Sequence, residues 1–224
     1  MKRYLPIALP ILILIGMVVF FIKSDTTKKP FKTLPILGNH RIDSVEVKGK
    51  KQLDTTYHTV ANFAFTNQNG ELVTKNAVTG KIYVCDYFFT TCKSICPVMS
   101  KQLDRVYKAY SKNDKVMILS HTVDPETDTP AQLKEYAAKF KADSKKWIFL
   151  TGDKPALYEM ARKSYLLNAE EGNGGEEDFI HTQNFALVDG KGRIRGFYDG
   201  TKSNEVDLLI TDIGFLLKES ELGQ

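Results

Sequence analysis

The chain has 224 residues, of which 42% are hydrophobic and 26% charged, an ordinary globular composition that excludes a wholly disordered chain. Its formal charge of +4 is uneven: residues 1–32 hold six basic residues and one acid, a net of +5, which leaves −1 for the rest. A near-neutral body argues against nucleic acid as a partner, because phosphate affinity needs a basic face.

Leu5–Ile22 is an 18-residue run without a charge. As a helix it spans roughly 27 Å, close to a hydrocarbon core. The run is long for a signal h-region, and Lys23-Ser24-Asp25 offers no small-x-small cleavage site. No cysteine follows it, which argues against a lipoprotein anchor. The expected organisation is a transmembrane anchor over 1–22, a linker and N-terminal extension over 23–57, and a working domain over 58–224. Two basic residues precede the apolar run and four follow it, so the positive-inside rule alone points the domain to the cytoplasm.

Residues 36–58 are polar, with one short strand expected at Ser44–Val47. Val60, Phe63 and Phe65 suggest a strand, followed by the turn residues Asn69-Gly70. Lys81–Phe89 (KIYVCDYFF) is a dense β-forming run and reads as a central buried strand. From Pro97 to Tyr110, Met99, Leu103, Val106, Tyr107 and Tyr110 share one helical face. Val116–Val123 is a further strand. Thr129-Pro130-Ala131-Gln132 is a capping box with proline at the first helical position, opening a helix to about Phe140. Trp147–Leu150 is a short strand, and Lys154–Leu167 a helix. Residues 168–178 (NAEEGNGGEED) read as a mobile acidic loop. Phe185–Val188 and Ile194–Tyr198 form a hairpin, and Asn204–Leu217 closes as a helix. The alternation predicts an α/β fold, thioredoxin-like, with a central mixed sheet flanked by helices and an antiparallel edge.

Cys92-Lys93-Ser94-Ile95-Cys96 lies between the central strand and the first long helix, where open α/β sheets gather their sites. Pro97 suits a first helical position, which places Cys96 at the cap, and a helix N-terminus stabilises a thiolate. In a turn, the i, i+4 spacing brings the side chains to about 5–6 Å. Small rotations then close a disulfide, and two thiolates can equally hold a soft metal such as Cu(I). His181 precedes the strand Phe185–Val188, whose start lies beside the cysteine turn in a thioredoxin-like topology. An imidazole there completes a Cys₂His set suited to copper or zinc. On position alone, ligand and plain surface histidine stand level. His40 and His58 read as solvated, His121 as structural, Cys85 as a buried core thiol and Met99 as core. Asp124 and Asp128 fit turn and capping roles beside Pro125 and Pro130, or support of the site.

Three blocks together carry a family resemblance: Tyr87–Met99 (YFFTTCKSICPVM), Val123–Phe140 (VDPETDTPAQLKEYAAKF) and His181–Asp189 (HTQNFALVD). The chain resembles the Sco/SenC family over roughly residues 58–218. The resemblance implies a thioredoxin-like, membrane-anchored protein whose domain lies outside the cytoplasm. It implies copper, as Cu(I) or Cu(II), held by Cys92, Cys96 and His181, and a role in assembling the binuclear copper centre of cytochrome c oxidase. The implied partners are the copper-bearing oxidase subunit, a thiol-disulfide reductant and the membrane. Lys93 departs from the acidic residue that many members carry there, and favours thiolates over a bound cation.

Two functions share these residues. One is a metallochaperone, in which oxidation of Cys92 and Cys96 removes both thiolate ligands. The other is a thiol-disulfide oxidoreductase, with Cys92 attacking and Cys96 resolving. A peroxidase of related fold is weaker, because no arginine lies near Thr90 and Thr91 in sequence. The implied acceptor and the disulfide-capable pair place the domain on the periplasmic side of a bacterial inner membrane, against the charge count.

Overall fold

The computed structural model describes residues 33–47, 50–167 and 182–222. The expected anchor, the 168–178 loop and His181 lie outside the described residues. Among those described, no helix is long and apolar enough to cross a membrane.

From Thr33 onward the chain forms one compact unit. The strands are β1 (His40–Val47), β2 (Lys50–Tyr57), β3 (Ala64–Asn67), β4 (Leu72–Thr74), β5 (Ile82–Phe88), β6 (Val116–Thr122), β7 (Trp147–Thr151), β8 (Asn184–Val188) and β9 (Ile194–Asp199). The helices are α1 (Ile95–Tyr110), α2 (Pro130–Ala138), α3 (Lys154–Glu159), which runs on as a π-turn over Met160–Ser164, and α4 (Ser203–Glu221). The main sheet has the order β4-β3-β7-β6-β5-β8-β9. β5, β6 and β7 are parallel, while β3, β8 and β9 pair antiparallel to their neighbours.

The central strand explains this arrangement. All seven residues of β5 are buried. Its pleat sends Ile82, Val84 and Phe88 into the apolar layer beneath α1, α2 and α4. Tyr83, Cys85 and Tyr87 enter the layer beneath α3. A strand covered on both faces loses the polar alternation of a half-exposed strand, and each such apolar side chain contributes about 1.5–3 kcal/mol. Asp86 shares the α1 face and is 1% exposed. It survives there because the Ser120 hydroxyl donates to it at 2.5 Å and Trp147 Nε1 donates to Ser120 at 2.9 Å.

Several boundaries differ from the sequence expectation. The polar stretch holds two eight-residue strands, β1 and β2, forming an antiparallel ribbon where one short strand is expected. Val60 and Phe63 are buried but precede β3. α3 gives way to a π-turn, and His58 closes against it: its Nε2 lies 2.8 Å from the Ser164 carbonyl oxygen. His58 is therefore half-buried and bonded rather than solvated, while His40 is exposed. Thr129 caps α2, accepting from the Gln132 N–H at 3.4 Å.

The end of the sheet away from the cysteines is tightly built. Gly80 N–H donates to the Gly190 carbonyl at 3.0 Å, and a Cβ on Gly190 would meet the Gly80 backbone at 3.0 Å. Buried Arg195 on β9 pairs with Glu219 through two 2.9 Å bonds and with Asp189 at 3.0 Å. The same guanidinium donates to the carbonyls of Leu34 at 2.6 Å and Pro35 at 2.9 Å. Leu37 N–H donates to the Ile194 carbonyl at 2.8 Å. The chain thus enters its folded unit bolted to the start of β9.

Candidate functional site

The cysteine turn leaves the carboxyl end of β5 and runs into α1. Both cysteines are free thiols. Ser94 takes the cap position without a side-chain capping bond, and α1 starts at Ile95. Cys96 therefore sits inside the first turn rather than at the cap, with Pro97 one residue further in. A helix start leaves N–H groups without intrahelical partners. Here the Cys96 N–H donates to Cys92 Sγ at 3.4 Å. The Cys92 sulfur lies 3.6 Å from Ser94 Oγ. Sulfur thus does at this helix what a capping oxygen does elsewhere.

The two thiols are electrostatically unlike. Cys92 is partly exposed, and Cys96 is 3% exposed. Partial burial works against the Cys92 thiolate, but hydrogen bonds from the Cys96 thiol, the Cys96 and Ser94 N–H groups and the Ser94 hydroxyl outweigh it. They bring Cys92 down to about 7. Burial pushes Cys96 up to about 12, helped by its bond to Cys92 and by the charges of Cys92 and Asp86. Above about pH 7 the pair is one thiolate and one thiol.

Asp128 anchors the turn from behind. It is fully buried, and its carboxylate accepts from the Thr90 N–H at 3.2 Å and from the hydroxyls of Thr90 and Thr122. Burial raises its carboxyl above the usual range, against these bonds. Of the two roles open to Asp128, support of the site is the one its side chain performs: it ties the Val123–Thr129 loop to the residue two before Cys92. Asp124 contributes to the loop through its backbone, its N–H donating to Thr122 Oγ1 at 2.9 Å.

Cys85 and Met99 are fully buried in the core. His121 is also fully buried, its Nδ1 3.5 Å from Cys85 Sγ and its ring stacked 5.0 Å from Tyr87. Burial holds it near pKa 3, hence neutral. It lies in the layer beneath α3, whereas Cys96 lies on the other face. Among the described residues no three His, Cys, Asp or Glu side chains converge to hold a metal ion. The described part of the site supplies two sulfur donors.

Asp86 is the site residue that sequence reasoning passed over. Burial raises its carboxyl to about 7. The signal was visible, since an acid inside the apolar run KIYVCDYFF needs a local reason.

A parallel-cored sheet with an exposed thiolate and a buried thiol at a helix start defines a thioredoxin-like dithiol protein. The sequence profile of the SCO1/SenC family matches residues 51–213, and the chain belongs to that family. A SCO1 protein homolog of Bacillus subtilis (strain 168) is 34% identical over 167 residues, covering 74% of this chain and 86% of its own. The structure of BsSco, described as a member of the Sco family of cytochrome c oxidase assembly proteins with a disulfide switch, superposes with a TM-score of 0.60 at 33% identity. That match covers 71% of this chain and 93% of BsSco. Bradyrhizobium japonicum ScoI with copper bound superposes with a TM-score of 0.57 at 27% identity, over 70% of this chain and 99% of ScoI.

Proposed function

We propose that the protein is a copper metallochaperone, holding copper through Cys92, Cys96 and His181 and delivering it to the binuclear copper centre of cytochrome c oxidase. The observation that carries this reading is the thiolate-thiol pair at the start of α1. A soft cation prefers sulfur, and with Cys92 lowered to about 7 its proton leaves readily near neutral pH, whereas the Cys96 proton must be displaced by the metal. Family membership and the copper-bound relative support the metal. His181 enters as a third ligand from its position before β8.

The chemistry of the pair also favours a second reading, a thiol-disulfide oxidoreductase acting on the acceptor's cysteines. Cys92 thiolate would attack the acceptor disulfide, forming a mixed disulfide and releasing one acceptor thiolate, which takes up a proton. Cys96, losing its proton, would then attack Cys92 Sγ and release the second. Two electrons pass to the acceptor, and an external thiol reductant restores the pair. The split between an ionised, accessible thiol and a buried, protonated one suits this order.

One titration separates the readings. Residues 33–224, reduced, are titrated with Cu(I) and with Cu(II), as wild type and as His181→Ala. The chaperone reading expects about one equivalent of each ion, and Cu(II) binding weakened at least tenfold by the substitution. Binding of neither ion would overturn it, and unchanged Cu(II) binding would remove His181. Insulin reduction at thioredoxin-like rates would promote the oxidoreductase. We also propose that the anchor leaves this domain in the periplasm. Activity of an alkaline phosphatase fused after residue 224 supports that placement, and inactivity of an expressed fusion reverses it.

A further inference from the structure

The two ends of the sheet differ in charge. At the cysteine end, the described connections are residues 89–94, 123–129, 152–153, 182–183 and 200–202. They carry Lys93 and Lys202 against Asp124, Glu126, Asp128 and Asp153. At the other end, the segments 80–81, 111–115, 139–146 and 189–193 lead into β5, β6, β7 and β9. They hold nine lysines and arginines against Asp114, Asp143 and Asp189. These segments are neighbours in space: Gly80 bonds Gly190, Ile82 bonds Lys115, and Lys146 Nζ donates to the Asn113 carbonyl at 2.6 Å. Lys112, Lys115, Lys139, Lys141, Lys145 and Lys191 are exposed. The adjoining turn and the end of α4 bring Glu71, Glu219 and Glu221, but Glu219 is already held by Arg195.

Two further observations fall at this same end. The chain enters the folded unit here, with Leu34 and Pro35 held by Arg195 and Leu37 bonded to Ile194. The β1–β2 ribbon is rooted here as well. His58 N–H closes its stem on the Asn39 carbonyl at 2.9 Å, and the next residues bond Gly192 through Val60. Register pairs His40 with Tyr57, Ile42 with Thr55 and Ser44 with Leu53, so Ile42, Leu53 and Tyr57 share one ribbon face. Ile42 is 57% exposed and Leu53 74%. A two-stranded ribbon with a bare apolar face is marginal in water by itself.

We propose that this end of the domain, its lysine-bearing loops together with the apolar face of the ribbon, seats on an anionic phospholipid surface. The cysteine turn is then presented on the far side, roughly 20 Å away along a seven-residue strand. Exposed lysines and a bare apolar face rooted at the same end are the composition that an interfacial surface favours, the cations meeting headgroup phosphates and the apolar face entering the acyl boundary. An apolar run expected at Leu5–Ile22 precedes Thr33 in sequence, which is why a lipid surface is the anionic partner proposed. The proposal is independent of whether the cysteines carry copper or electrons.

Residues 33–224 suffice for the test, since among the described residues both apolar clusters fall between Leu34 and Leu217. Their partition onto phosphatidylglycerol-containing vesicles and onto pure phosphatidylcholine vesicles is measured by sedimentation at 50 mM and 500 mM salt. Binding is expected on the anionic vesicles only, and its loss at high salt. Each lysine near such a surface is worth about a fivefold factor in partition. The Lys112→Gln, Lys115→Gln, Lys141→Gln, Lys145→Gln variant should bind at least about 20-fold more weakly. Ile42→Ser with Leu53→Ser should weaken binding without altering the melting temperature. Lys154→Gln with Lys202→Gln, at the cysteine end, should bind as wild type. No binding to anionic vesicles, equal binding to both lipids, or an unaffected four-lysine variant would overturn the proposal. Retention on heparin without vesicle binding would overturn it in favour of a soluble polyanion.

Discussion

Cys92 and Cys96 are four residues apart, yet one helix turn makes them chemically different groups. The unpartnered N–H groups at the start of α1 point at the first sulfur, and the core closes over the second. Alkylation should display that difference. Because the thiolate is the reactive form, its fraction rises as pH climbs through the Cys92 pKa of about 7. Iodoacetamide should therefore modify Cys92 about tenfold faster at pH 7.5 than at pH 6, and level off above pH 8. Cys96 should stay unmodified throughout, as read by peptide mass spectrometry. Equal labelling of both cysteines would mean that the turn does not hold this geometry in solution.

At the scale of elements, the cysteine turn is held by a loop from elsewhere in the chain. Asp128 accepts three donors at Thr90 and Thr122, and no donor of that set has another role in a strand or helix ladder. Asp128→Asn retains the volume but replaces a carboxylate that accepts on both oxygens with a single carbonyl and two buried donors. It should cost about 2–3 kcal/mol in urea unfolding and speed amide exchange at Thr90. This tie also marks where reading by pattern stops. β5, β6, β7 and the four helices were legible because apolar spacing is local. The cysteine turn was legible because its residue types are rare and close together. The ribbon was not, since Ile42, Val45 and Leu53 stand among polar residues and no second layer covers them. His58 looked solvated because its partner, Ser164, lies 106 residues away. Asp128 could be read either as a turn residue or as a support, and only the approach of Thr90, 38 residues distant in sequence, decides between them.

Across the whole molecule, Arg195 joins four distant pieces: the entering chain at Leu34 and Pro35, the β8–β9 turn at Asp189, its own strand and α4 at Glu219. Removing it leaves Glu219 buried without a counter-charge and frees two carbonyls. Arg195→Met should therefore destabilise the unit by about 3–5 kcal/mol and expose the chain around Thr33–Asn39 to protease. Part of the stability should return in Arg195→Met with Glu219→Leu, because the cost comes from the stranded carboxylate. A double variant no more stable than the single would place the loss in the two carbonyl bonds instead.

The unequal pair has an electrochemical consequence. Between about pH 7 and pH 12 the reduced form holds one proton and the disulfide none. Two electrons then travel with a single proton, and the midpoint potential falls by about 30 mV per pH unit. Below pH 7 both sulfurs are protonated in the reduced form, and the slope doubles to about 59 mV. The break at Cys92's pKa makes the driving force of the couple respond half as steeply to alkaline conditions as to acid ones.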